Sequence, residues 1–144
     1  MNVSSILHRK GTEVIHAPPE TPLVEAAQLL AEEGVGSLVV LGEGRDLLGV
    51  LSERDLVGAL AKHGRDASRV SIGEALSRRP VTCRPEDPLR HVMTLMTQQR
   101  TRHLPVYAGE ALVGIISIGD VVKGLVEELE IEVGVLRDVA RARR

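Results

Sequence analysis

Apolar and polar positions follow two different periods along this chain, and the succession occurs twice. Leu23, Ala26, Ala27 and Leu30 recur at i, i+3, i+4 and i+7, and so do Leu89, Val92, Met93 and Met96. Each set predicts a helix with one buried face. Thr21 and Asp87 are the expected N-caps, with Pro22 and Pro88 at the first helical position. A short extended segment precedes each helix, at residues 13–16 and 81–83. After each helix comes a short apolar run, 37–41 in one place and 103–107 in the other, then a Gly-containing turn at 42–45 or 108–110, then a second apolar run that starts near Gly49 or Gly114 and ends in Ser-x-x-Asp. Each pair of runs predicts a hairpin. A further helix is expected to start near Arg54 and near Gly119.

The two successions are copies. A displacement of 66 positions sets Pro19-Glu20-Thr21-Pro22-Leu23 on Pro85-Glu86-Asp87-Pro88-Leu89, and one deletion later Gly49, Ser52 and Asp55 fall on Gly114, Ser117 and Asp120. Each copy reads β-α-β-β-α, an α/β (α+β) pattern. A unit of roughly 60 residues is marginal by itself, so the two should pack together. The expected division is 1–65, 66–128 and a C-terminal helix extension at 129–144. Polar Gly64–Arg69 reads as the linker, residues 70–76 as a short helix leading into the second copy, and residues 3–7 as its counterpart for the first. Val122, Leu125, Leu129, Val133, Leu136 and Ala140 continue an apolar stripe beyond the second copy, with Gly134 as a break point. That stripe is either a longer packed helix or a subunit contact. The basic tail reads as solvated, favourable at a helix C-terminus.

Composition narrows the function. With 43% hydrophobic and 26% charged residues the chain is expected to be globular and not disordered. A net charge of −2 offers no electrostatic basis for nucleic-acid binding. Tyr107 is the only aromatic residue; a bound base would be clamped by aliphatic groups and backbone, and single-strand stacking platforms are excluded. Cys83 is the only cysteine, which rules out an internal disulfide and fits a reducing cytoplasm. Neither a leader segment nor an apolar run of roughly 20 residues is expected, so no membrane association.

Candidate chemistry concentrates at the two Ser-x-x-Asp segments. A strand that ends there and turns into a helix brings a hydroxyl and a carboxylate to a helix N-terminus, where the dipole and free N–H groups favour anions. A carboxylate there can accept from both hydroxyls of a ribose. The alternative role for Ser52, Asp55, Ser117 and Asp120 is helix capping. Arg102 and His103, with Arg100 nearby, are the best phosphate ligands in the chain. In the first copy their positions hold Gly36 and Ser37, with Arg54 as partial compensation. Two unequal sites are therefore expected, the second copy's being the tighter. Pro105, in a hairpin strand, marks an edge or a place where the backbone opens to a ligand. The five His residues show no metal-ligand spacing, neither a nucleophile elbow nor a P-loop is present, and Cys83 reads as a small core residue; no catalytic or metal site is expected.

From about residue 3 to about residue 128 the chain resembles a tandem cystathionine-β-synthase (CBS) domain pair. The resemblance rests on the two Gly-x-x-Ser-x-x-Asp segments, the Arg102-His103-Leu104-Pro105-Val106 strand and the duplicated element order. It implies two repeats about a pseudo-twofold axis, clefts that take AMP, ADP, ATP, NAD(H) or S-adenosylmethionine, and pairing into homodimers. It places Asp55 and Asp120 at ribose hydroxyls, Ser52 and Ser117 at ribose and phosphate, and Val14, Ile15, Val81 and Thr82 along the adenine. It implies a non-enzymatic sensor that regulates a partner protein, here as a stand-alone module. The rival expectation is a protein–protein interaction module whose clefts are vestigial.

Overall fold

The hairpins, and the helices that leave them, set the frame. In the computed structural model, which describes residues 1–76 and 80–143, the chain runs α1 (Val3–Lys10), β1 (His16–Ala17), α2 (Leu23–Glu33), β2 (Ser37–Leu41), β3 (Leu47–Ser52), α3 (Glu53–His63), α4 (Ile72–Ala75), α5 (Leu89–Gln99), β4 (His103–Ala108), β5 (Ala111–Ser117) and α6 (Ile118–Ala142). Helices and strands mix as an α+β fold.

Two compact units form, and they do not follow the chain's linear order. One is Glu13–Thr82; the other joins Met1–Thr12 to Cys83–Arg144. The lead-in helices α1 and α4 thus sit opposite to expectation: α1 belongs with the second copy and α4 with the first. The backbone bonds are equivalent in the two units. Val3 N donates to Asp87 O, Ser4 N to Pro85 O and Leu89 N to Met1 O; Ile72 N donates to Thr21 O, Gly73 N to Pro19 O and Leu23 N to Val70 O. These bonds explain a second difference. Pro22 and Pro88 are themselves the N-caps, with extended ψ of 145° and no side-chain cap. The first helical N–H is instead satisfied by the strand-like segment ahead of the lead-in helix. Thr21 Oγ1 donates to Pro18 O, and Asp87 accepts from Arg84 N.

In the Glu13–Thr82 unit the sheet order is β1-β2-β3. β1 runs parallel to β2, and β2 pairs antiparallel with β3 from Ser37↔Ser52 to Leu41↔Leu47. Every residue of β2 is buried. Leu23, Ala26 and Leu30 of α2 close on Leu38, Val40, Leu51, Val70 and Ile72. Ala27, expected in this core, is exposed; the buried face of α2 is narrower than its apolar pattern. Gly64–Arg69, expected as a plain linker, is a 3-10 helix with Ala67 buried.

In the other unit β4 and β5 pair from His103↔Ser117 to Ala108↔Ala111 around a two-residue turn, with a bulge at Val106/Tyr107 matching the one at Val40/Leu41. The turn begins at Gly109, whose φ of +62° suits glycine. Leu89, Val92, Met96, Leu104, Val106, Ile116 and Val121 are buried with Val3, Ile6 and Leu7; Met93 is only half-buried. The segment at 81–83 contributes a single bridge, Cys83↔Val106, where the first copy has a strand. Pro105 is the physical reason. Val39, its counterpart, donates N–H to Ile15 O at 2.9 Å; proline has no N–H to give.

α6 runs through Gly134 without the expected break. Its inner face packs Val121 and Gly124 into the unit, while residues 129–143 are exposed except for half-buried Gly134. The packed-helix reading of the extension therefore ends near Glu128.

The motif glycines are packing sites. A Cβ on Gly114 would stand 2.6 Å from Leu7 Cδ2, and one on Gly49 would stand 3.1 Å from Leu76 Cδ1. Gly58 in α3 meets nothing within 4 Å. Gly114→Ala should cost about 1–3 kcal/mol through overpacking, whereas Gly58→Ala should gain about 0.5–1 kcal/mol of helix stability. Urea denaturation of the two variants checks both signs.

Candidate functional site

Each hairpin's second strand ends where a helix begins, and a helix start leaves N–H groups without intrahelical partners. Ser52 and Ser117 solve this identically. Both have extended backbone, and both form a complete capping box with the Asp three residues on. Asp55 N donates to Ser52 Oγ at 3.4 Å, and Ser52 N to Asp55 Oδ2 at 2.8 Å. Asp120 N donates to Ser117 Oγ at 3.2 Å, and Ser117 N to Asp120 Oδ2 at 2.9 Å. Glu53 N donates to Gly36 O at 3.1 Å, and Ile118 N to Arg102 O at 2.8 Å. The capping role weighed from sequence is thus real at all four residues. It also uses helix-start donors that were expected to face a ligand. The bonds converge on Oδ2 of each Asp; among the described residues Oδ1 of each remains uncommitted.

The strand register gathers the candidates unit by unit. Ser37 pairs with Ser52, and His103 with Ser117. Gly36, Ser37, Ser52, Arg54 and Asp55 therefore meet at one hairpin end; Arg102, His103, Ser117 and Asp120 meet at the other. Val14 precedes β1 by two residues and lies toward the Ser37 end, because β1 is parallel to β2. Pro105 is buried in β4, two residues from His103; Arg54 and Arg102 are exposed and His103 is half-buried. Val81 and Thr82 lie in neither helix nor strand, and they fall in the Glu13–Thr82 unit, away from the copy to which they were assigned.

Lys10, which sequence reasoning did not connect to this end of the hairpin, contacts one of the candidate residues. Its Nζ lies 2.6 Å from Asp120 Oδ2. α1 ends in His8, Arg9 and Lys10; Arg9 pairs with Glu127, and the N-terminal amine lies 2.6 Å from Glu128. The basic last turn was visible in the sequence, but its partners are more than a hundred positions away. Burial pushes the Asp120 carboxyl up; hydrogen bonds from Lys10 and Ser117, with the Lys10 charge, outweigh it and hold the group below its ordinary 3.8.

Two further groups bear on chemistry. Burial, reinforced by the Asp87 charge, pushes the Cys83 thiol up to about 12, so it stays protonated at neutral pH and is a poor nucleophile. Arg100 caps α5 in the left-handed region, φ 51°, where Gly34 caps α2 at φ 64°. Among the described residues no group of three or more His, Cys, Asp or Glu could hold a metal ion. None of the described helices is long and apolar enough to cross a membrane.

Two copies of an α-β-β-α succession, the first led by β1 and the second by the Cys83 bridge, with matching capping boxes define a duplicated α+β module. The CBS domain model matches residues 3–62 and 72–127. The chain belongs to the CBS-domain family, as a tandem pair. It is 30% identical over 134 residues to the CBS domain-containing protein CBSX3, mitochondrial, of Arabidopsis thaliana, a match covering 88% of this chain and 65% of that protein; the chain thus spans less than two thirds of that relative. Among solved structures it is similar to the CBS-domain containing protein ATU1752 from Agrobacterium tumefaciens, at 38% identity and TM-score 0.81, covering 85% of this chain and 91% of that one. It is also similar to the CBS domain pair of protein MJ0100 in complex with 5′-methylthioadenosine and S-adenosyl-L-methionine, at 25% identity and TM-score 0.76, covering 87% and 99%. The family model is not that of a catalytic domain.

The Lys10–Asp120 pair sets a pH dependence. Because the folded pKa of Asp120 is depressed below 3.8, its contribution to stability is present above that value and is lost as pH falls through the folded pKa. Lys10→Met should lower the melting temperature at pH 7, and its deficit against the parent should shrink once Asp120 is protonated. Carboxyl NMR titration should show the Asp120 pKa rising in the variant.

Proposed function

We propose that this chain is a cytoplasmic, non-enzymatic regulatory module that binds an adenine-containing ligand, works as a homodimer and signals ligand state to a partner protein. The ligand class is AMP, ADP, ATP, NAD(H) or S-adenosylmethionine. The observation that carries this reading is the duplicated hairpin end, where a carboxylate held by its own helix cap keeps one oxygen, Oδ1, for ribose hydroxyls. The occupancy of the MJ0100 pair by two adenosine compounds supports the ligand class. In the second copy Arg102 and His103 stand beside Asp120 to meet phosphate; the first copy offers Gly36 and Ser37. The second site is accordingly the tighter, and binding acts by shifting populations of module conformations. The exposed outer part of α6 favours a second reading, an interaction module without a ligand.

A melting panel with AMP, ADP, ATP, NAD, NADH and S-adenosylmethionine tests this on protein shown to be nucleotide-free. A ligand at about 100 times its Kd should add roughly 2.7 kcal/mol. Asp55→Ala and Asp120→Ala each lose the returning half of a capping box, so both should melt earlier without ligand, by about 0.5–1.5 kcal/mol. The ligand-induced shift is therefore the informative quantity, and it should vanish in Asp120→Ala and survive in Asp55→Ala. A flat panel would reject the sensor reading in favour of the interaction module.

Arg100 gives an independent check. Arg100→Gly relieves the left-handed cap and should weaken the response to phosphorylated ligands. An unchanged response would remove Arg100 from the phosphate site.

A further inference from the structure

α6 is 25 residues long, about 37 Å at 1.5 Å per residue, and its outer part leaves large apolar side chains in solvent. Leu129 is 52% exposed and Leu136 68%. A free helical segment of this length is marginal in water, and Gly134 weakens it further. Something is needed to cover it. The pattern of the exposed residues identifies what does. Val122, Val126, Leu129, Val133, Leu136 and Ala140 are spaced alternately by four and three, the heptad seam of a coiled coil. With Val126 at a, the a positions are Val126, Val133 and Ala140, and the d positions are Val122, Leu129 and Leu136. β-branched residues at a with Leu at d favour two parallel strands.

The charges fit the same partner. Glu132 falls at g and Arg137 at the following e, the pair that faces across a parallel, in-register dimer. Among the described residues neither makes an ion pair within the chain. A second copy aligned in parallel satisfies both, twice by symmetry. An antiparallel copy sets g against g and e against e and forfeits the match. We propose that the outer half of α6 is a two-stranded parallel coiled-coil seam whose occupant is the same helix of a second copy of this chain. This deepens the homodimer part of the reading above without needing nucleotide. A dimer with a flat ligand panel defeats the sensor reading alone, and a ligand-responsive monomer defeats the seam alone.

The test uses the full, nucleotide-free chain. Its one native thiol, Cys83, is buried, which keeps background crosslinking low. Val126→Cys and Leu136→Cys, some ten residues apart on the seam, should each give a disulfide-linked dimer under mild oxidation, and Asp138→Cys at the outer f position should not. In an antiparallel pair at most one of the two seam positions can meet its own copy, so a single crosslink overturns the parallel seam. Sedimentation should give twice the chain mass for the parent and the chain mass for Leu129→Asp/Leu136→Asp, with the melting transition of the folded units retained. Glu132→Arg should weaken dimerisation several-fold, and Glu132→Arg/Arg137→Glu should restore it. A monomeric parent overturns the proposal, as does an assembly larger than two that also covers exposed Ile131 and Val135.

Discussion

Everything in each half of this protein depends on how a strand becomes a helix at Ser52 and at Ser117. The helix start presents N–H groups that must find acceptors. One goes to the carbonyl of Gly36 or Arg102, at the head of the neighbouring strand, and one to the serine hydroxyl; the aspartate then returns a bond to the serine N–H. The hairpin's two strands and the helix that follows are thereby locked at one corner. The glycine three residues before the serine completes the device by leaving room for a leucine of the lead-in segment, Leu76 just after α4 on Gly49 and Leu7 of α1 on Gly114. Gly-x-x-Ser-x-x-Asp is therefore a structural motif first. Any ligand that uses it does so through atoms the cap does not occupy.

The lead-in helices show a second constraint. A proline at position 22 or 88 fixes φ near the helical value but leaves ψ extended, so the helix begins one residue later and its first N–H needs an outside acceptor. Val70 and Met1 supply it through their carbonyls, because the segments that carry them bridge to the prolines, Pro22↔Ser71 and Asn2↔Pro88. Placing α1 in the later unit follows from this pairing and is reinforced by three ion pairs between residues 1–10 and α6. Such surface pairs are individually weak, so the apolar contacts of Val3, Ile6 and Leu7 carry the attachment, and the charges orient it.

Local grammar made most of the fold legible. The helical stripes, the hairpins and the Ser-x-x-Asp junctions are each contained in windows shorter than a dozen residues, and the duplication checked one copy against the other. Partner choice was not legible. The apolar pattern of residues 3–7 says that a helix buries one face, but not which unit receives it. Ala27 shows the same limit on a smaller scale: its place on the apolar face of α2 did not ensure that anything covers it. Lys10 could not be paired with Asp120 from sequence, since no local rule links residues that far apart. At the site itself, sequence left capping and ligand contact open; the structure establishes the capping, and the register brings Arg102 and His103 to Asp120.

The duplication also provides an internal reference for what the second copy has given up. Where the first copy ends α2 with Gly34 in the left-handed region, the second uses Arg100 in the same conformation, which disfavours any residue with a Cβ. Where the first copy has Val39 donating to Ile15, the second has Pro105, and its sheet shrinks from three strands to two. Both departures weaken local structure, and both lie within three residues of Arg102 and His103. Natural chains break local rules mainly where function compensates. A repeat that served only as scaffold would have no reason to concentrate these two departures around Arg102 and His103, when its sister repeat shows that glycine and valine fit those positions. The asymmetry between the copies thus supports the proposed ligand at the Arg102–Asp120 end independently of the shared motif, whose capping occupies Oδ2 of each aspartate.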